Sequence, residues 1–250
     1  WAGKVLLEEA RRVFAVVDQA KASVKSAAAG YQGRIRVALS DGIPQGRLSA
    51  LLALCREEEP EVDICLSEVT FTEQVRGLNN DIFDIGFAQS DQVGDGLLAE
   101  PVWFDPLVVA VPTRHPLLSY RRIPLEEIVR YPLVLCDPQV CEGFWHQLQQ
   151  VLGAVDTRLT IAERVTTLDL MMALVSAGYG LGFSSLARIN ELNNPDVVAR
   201  QLEGCATMLT TYLVRREGEP AEQLARFIGR VSPAESQALK PDHASQKEIA

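Results

Sequence analysis

The chain has 250 residues, 47 % of them hydrophobic and 23 % charged, with a formal net charge of −9 and a pI near 5.0. That balance is ordinary for a globular protein with room for two small lobes, while so acidic a surface repels phosphate and speaks against nucleic-acid or anionic-membrane binding by this chain alone. No apolar run reaches the length of a membrane span, the N-terminus lacks the basic, apolar and small-residue succession of a signal peptide, and the cysteines (Cys55, Cys65, Cys136, Cys141 and Cys205) form no C-x-x-C pair, so free thiols in a cytoplasmic setting are expected.

Residues 2–29 hold no proline and few strand formers. Leu6, Ala10, Val13, Val17, Ala20, Val24 and Ala27 alternate at four- and three-residue spacings, the seam of a heptad helix. Gly30 is a natural stop, and at about 1.5 Å per residue the helix is roughly 40 Å long. One reading folds it onto its own domain. The narrowness of the stripe, and the complete α/β unit that follows, favour a dimer helix.

Ile35, Val37 and Leu39 alternate with Arg36 and Ala38 as a strand, broken by Ser40-Asp41-Gly42. Pro44 suits a helix start, Leu48, Leu51, Leu52 and Cys55 continue at helical spacing, Pro60 stops the helix, and Val62, Ile64 and Leu66 alternate again. The polar turn lies at the carboxyl end of the first strand, the edge where open α/β sheets bind ligands. A short helix through Leu78 and a third strand at 85–87 complete a β-α-β-α-β order, which implies right-handed crossovers and a parallel sheet. Further strands are expected at 107–111, 133–136, around 159–161, after the glycine turn 178–182, at 197–202 and at 208–214. Helices are expected within 117–130, up to about 152, at 166–177 and at 220–231. Residues 232–250 read as a mobile tail. No internal repeat is evident.

Ser40, Asp41, Gly42 and Ile43 lie at the first strand-to-helix turn, Thr70 and Thr72 at the next helix start, and Asp137, Gln139 and Val140 at the matching later turn. Ser184 follows the glycine turn, beside Phe183, which reads as core. Helix N-termini there favour an anion, although the same residues serve equally as caps. Catalysis finds little support. His115, His146 and His243 lack metal-ligand spacing, and no H-E-x-x-H, G-x-S-x-G, P-loop or G-x-G-x-x-G motif occurs. Neither an enzyme, nor a metal, nor a cofactor is expected. Cys136 and Cys141 could form a redox pair, but inert thiols are commoner.

Ala2-Gly3 with Leu6-Leu7-Glu8-Glu9-Ala10-Arg11-Arg12, Gly33-Arg34-Ile35-Arg36-Val37 with the later Pro60, Glu68, Gln74, Leu78 and Asp84, residues 107–112 followed by His115-Pro116-Leu117, and the run 174–182 occur in an order that resembles the regulatory part of a LysR-type transcriptional regulator with its linker helix. The resemblance covers about residues 1–231. It implies an α/β, two-lobed, periplasmic-binding-protein-like (type 2) regulatory domain preceded by a long linker helix. The implied division is a linker or dimerisation helix at 1–30, lobe I at 34–105 plus 211–231, lobe II at 106–210 and a tail at 232–250. It implies an effector between the lobes; the turns read above place that effector, a small polar metabolite or carboxylate, against Ser40, Asp41, Gly42, Ile43, Thr70, Thr72, Asp137, Gln139, Val140 and Ser184. A homodimer or homotetramer is implied, with DNA contacted only through a winged helix-turn-helix preceding residue 1. The chain departs from the family pattern at Asp81, where glycine is usual, and at Gln89, where some aromatic-acid sensors carry a basic residue. The rival reading is a solute-binding protein of a transport system, which needs a signal sequence and has no use for the heptad helix.

Overall fold

The computed structural model describes residues 1–28, 30–40, 42–153, 159–204 and 207–231. Asp41, Cys205 and the expected tail 232–250 lie outside the described residues. Among those described, no helix is long and apolar enough to cross a membrane.

Helix α1 (Ala2–Ala28) ends at Gly30, whose φ of +92° lies in the left-handed region that glycine enters without a Cβ penalty. No residue of the heptad seam is buried. Leu6 is 71 %, Val13 60 % and Val24 70 % exposed, so the seam is not folded onto its own chain. Leu7, Phe14 and Val16, which flank it, are exposed as well, making the apolar face broader than the seam alone.

The next elements are β1 (Gly33–Leu39), α2 (Gln45–Glu58), β2 (Val62–Glu68), α3 (Phe71–Asn79) and β3 (Ile85–Ala88). Strand β1 pairs in parallel with both β2 and β3, the arrangement expected of strands joined by helical crossovers. Its alternation delivers Ile35, Val37 and Leu39 to a core shared with Leu51 and Cys55 of α2. There Phe87 stacks on Trp103 with ring centroids 4.8 Å apart. Asp81 lies in the left-handed region that favours glycine, with φ at +58°. The strain is offset by Arg216, which pairs with the Asp81 carboxylate, and by Arg36, which donates to its carbonyl.

Strand β4 (Leu97–Pro112) is far longer than the expected strand at 107–111. Pro101 and Pro106 disguise its first half in the sequence. Among the described residues that half pairs only with β10 (Met208–Arg216), antiparallel, and an edge tolerates proline because the missing N–H interrupts no ladder on the open side. Beyond Pro106, β4 enters a second sheet, pairing with β8 (Leu181–Ser185) and β9 (Val197–Leu202). That sheet also holds β5 (Arg122–Ile123), β6 (Leu133–Cys136) and β7 (Ile161–Val165). Helices α4 (Leu125–Ile128), α5 (Glu142–Leu152), α6 (Leu168–Ser176) and α7 (Leu186–Leu192) pack on it. Helix α8 (Glu222–Val231) returns to the first sheet, its Phe227 and Val231 closing that core.

Two bodies with separate cores result, called lobe I (β1–β3 with α2, α3 and α8) and lobe II (β5–β9 with α4–α7). The antiparallel pair β4 and β10 runs from one into the other. Neither β5 nor α7 was expected from the sequence; both are too short for periodicity to register. Ser185 starts α7 by accepting a hydrogen bond from the Arg188 N–H.

Candidate functional site

The helices that follow β1 and β2 in lobe I meet α5 and α7 of lobe II. Four contacts define the seam. The Gln45 and Gly46 N–H groups, at the start of α2, donate to the Glu191 carboxylate of α7 at 3.3 and 2.8 Å. The Thr72 hydroxyl of α3 donates to Glu142 of α5 at 2.9 Å, and its N–H points at the same carboxylate. The Gln147 side chain of α5 donates to the carbonyls of Gln89 and Thr210 at 2.7 and 2.8 Å and accepts from the Thr210 N–H at 2.9 Å. Gly143 lets α5 approach closely: a Cβ there would stand 2.7 Å from the Gln89 carbonyl carbon and 3.1 Å from the Ser90 nitrogen.

Between α3, the exit of β3 and α5 lies a cavity of about 340 Å³, within the range of small-ligand sites, roughly 300–1,000 Å³. Phe71, Thr72 and Gln92 line it from lobe I, Glu142 and His146 from lobe II. Gln92 and His146 approach to 3.2 Å across it.

The residues selected from sequence fall as follows. Ser40 is buried, and its hydroxyl donates to the Phe87 carbonyl at 3.2 Å. Gly42 has φ of +79°, a backbone conformation that favours glycine, and a Cβ there would have to push aside the end of the Gln89 side chain. Ile43 packs in the lobe I core. Thr70 closes a capping box with Glu73, whose carboxyl is held below the usual range by the Thr70 N–H and hydroxyl. Thr72 lines the cavity. Asp137 accepts from the Gln139 N–H at 2.8 Å, shaping the turn into α5, while Gln139 and Val140 stand exposed. Ser184 is 4 % exposed within β8.

The sequence reading missed Glu142, Gln147, Glu191 and the cavity residue His146. Glutamate and glutamine on helices are usually solvated, so no local signal marked them. Gln89 carried a signal, and the structure buries it: its Nε2 donates to the Gly42 carbonyl at 3.2 Å while its Oε1 has no partner among the described residues. Cys55, Cys65, Cys136 and Cys141 form no disulfide with one another. Burial pushes the Cys55 and Cys65 thiols up, away from reactive thiolate.

Asp105 sits in β4 on the approach to lobe II and is 8 % exposed. Burial pushes its carboxyl up, Arg47 partly offsets this, and Glu191 adds to it. The folded chain therefore holds a proton at pH values where the unfolded chain has lost it, and stability falls as pH rises from the ordinary aspartate range through the raised native value. Asp105→Asn is expected to gain stability over the parent at neutral pH, the gain fading as pH falls through the raised native value and gone below the ordinary aspartate range. Denaturant midpoints measured across pH check this; a neutral-pH loss, or a pH-independent gain, contradicts it.

Comparison with known proteins gives the geometry a family. The model for the LysR substrate binding domain matches residues 28–233. An uncharacterized HTH-type transcriptional regulator of Escherichia coli (strain K12), YnfL, is 27 % identical over 181 residues, covering 72 % of this chain and 61 % of that protein. The HTH-type transcriptional regulator AlsR of Bacillus subtilis (strain 168) is 25 % identical over 202 residues, covering 81 % and 67 %. The chain thus spans about two thirds or less of these relatives' length. Among solved structures, the BenM effector binding domain with its effector benzoate aligns with a TM-score of 0.74 at 18 % identity, covering 80 % of this chain and 91 % of that one. Full-length CbnR complexed with its target DNA aligns with a TM-score of 0.76 at 23 % identity, covering 92 % and 81 %. These likenesses establish the two-lobed, periplasmic-binding-protein-like fold. With the family model spanning most of the residues, from the end of α1 to the end of α8, the chain belongs to the LysR substrate-binding-domain family.

Proposed function

We propose that this domain senses a small polar metabolite or carboxylate in the cleft between its lobes, as the regulatory part of a LysR-type transcriptional regulator. The division proposed is α1 as linker, 34–105 plus 211–231 as lobe I and 106–210 as lobe II. The observation that carries the reading is the cavity between α3 and α5, where Thr72, Gln92, Glu142 and His146 stand among apolar side chains and both lobes contribute. Of the contacts read from the sequence, Thr72 lines this cavity; Ser40, Asp41, Gly42, Ile43 and Thr70 from lobe I and Asp137, Gln139, Val140 and Ser184 from lobe II are proposed as the wider cleft around it. The helix N-termini that favour an anion already hold the chain's own carboxylates, Glu191 on α2 and Glu142 on α3. A ligand acid must displace one of them, whereas an ammonium or hydroxyl group meets Glu142 directly. That balance favours a zwitterion or hydroxy acid over a plain acid, and the neutral Gln89 argues against an aromatic acid. The family match favours this reading over a transport solute-binding protein. DNA contact belongs to a winged helix-turn-helix outside this chain, and assembly as a homodimer or homotetramer is part of the proposal.

Calorimetry with a ligand selected by thermal shift tests it. Thr72→Val and Gln139→Ala are each expected to weaken binding by about 0.5–1.5 kcal/mol, the worth of one hydrogen bond whose partner can rehydrate. Unchanged affinity in both variants, together with a bound-state structure showing the ligand elsewhere, refutes the site.

A further inference from the structure

A larger cavity, about 820 Å³, opens on lobe II. It forms where β5 runs parallel to β9, with Arg122 paired to Gln201, and the first residue of α7, Leu186, borders it. It shares no residue with the proposed effector contacts. Arg121, Arg122 and Arg200 line it, and no Asp or Glu does. This is unusual in a chain of net charge −9. Arg34, Arg36, Arg215, Arg226 and Arg230 each sit on a carboxylate, whereas the cavity arginines make no ion pair among the described residues. Arg200 spends one N–H on the Ala199 carbonyl at 3.2 Å, which leaves the rest of its donor fork available. The floor is apolar, built by Val108, Leu118 and Leu186, and Tyr120 stands at the rim.

Unneutralised guanidinium groups around an apolar floor are complementary to one class of ligand. Guanidinium forks bind carboxylate and phosphate oxygens in pairs, and the floor requires a hydrophobic body on the same molecule. We propose that lobe II carries a second ligand site, for an organic phosphate or comparable anion with a planar or apolar body. The concavity is the size of a small-molecule site, and the acidity of the whole chain disfavours a nucleic acid.

Phenyl phosphate is the probe, with inorganic phosphate and a polyglutamate peptide as comparisons, followed by amide chemical shifts of the full chain. Phenyl phosphate is expected to move the amides of residues 118–122 and 199–201 and to leave Thr72 in place. Inorganic phosphate binds more weakly, for want of the floor. Arg122→Ala with Arg200→Ala is expected to weaken phenyl phosphate at least about tenfold with the melting temperature unchanged. Should that pair fail to fold, Arg122→Gln with Arg200→Gln, which keeps polar bulk, is expected to show the same loss. Shifts confined to the cleft, or affinity unaltered by both pairs of substitutions, overturns the site. Inorganic phosphate binding as tightly as phenyl phosphate, or polyglutamate binding more tightly than either, overturns the ligand class.

Discussion

Val13→Asp combined with Val17→Asp is expected to convert a dimer into a monomer in sedimentation velocity. Both side chains lie on the heptad seam of α1, and neither is buried within the chain. If the seam pairs with a second copy, the substitutions put carboxylates into a desolvated interface, at an effective cost of several kcal/mol per ion. Even about 4 kcal/mol of that cost raises the dissociation constant roughly a thousandfold. If α1 stands alone in water, the same substitutions replace exposed valines and leave the sedimentation coefficient unchanged. Circular dichroism separates loss of the helix from loss of its partner. The exposed Leu7, Phe14 and Val16 beside the seam broaden the apolar face and strengthen the expectation of a partner.

Gly143→Ala gives the other large effect, because its sign depends on the interlobe contact. In an isolated helix, alanine is better than glycine by about 1 kcal/mol. Here the added Cβ meets backbone atoms of Gln89 and Ser90 at 2.7–3.1 Å, and backbone cannot swing aside as a side-chain end can. Overpacking of this kind costs about 1–3 kcal/mol. Relief comes from moving α5 away from lobe I, which breaks the Gln147–Gln89 and Thr72–Glu142 hydrogen bonds. The expected result is a lower melting temperature, a larger radius of gyration in solution scattering and weaker ligand binding. A stabilised variant with an unchanged radius would show that the lobes do not meet at α5.

Much of the fold was legible because its signals are local. Ile35, Val37 and Leu39 announced β1, Ser40 to Gly42 its turn, and the repeated β-α-β order the parallel pairing of β1 with β2 and β3. The first half of β4 was hidden by Pro101 and Pro106, whose tolerance depends on an edge position that only the assembled sheet reveals. The candidate site was legible as loops, less so as side chains. Thr70 was visible as a helix start, and the structure uses it as a cap. Glu191 lies 146 positions from Gln45 and Gln147 lies 58 from Gln89; neither pairing leaves a trace in local sequence, because the residue types are ordinary on helix surfaces and distance along the chain hides the partner.

The most direct test of an effector cleft is a crystal structure of the domain grown with an amino acid or hydroxy acid that raises its melting temperature. Electron density for that ligand between α3 and the 137–142 turn, with Thr72 or Glu142 in hydrogen-bond contact and the Thr72–Glu142 pair rearranged, is the expected result. Density confined to the Arg122–Arg200 cavity of lobe II or to any other surface, with the Thr72–Glu142 and Glu191–Gly46 contacts intact, would contradict it.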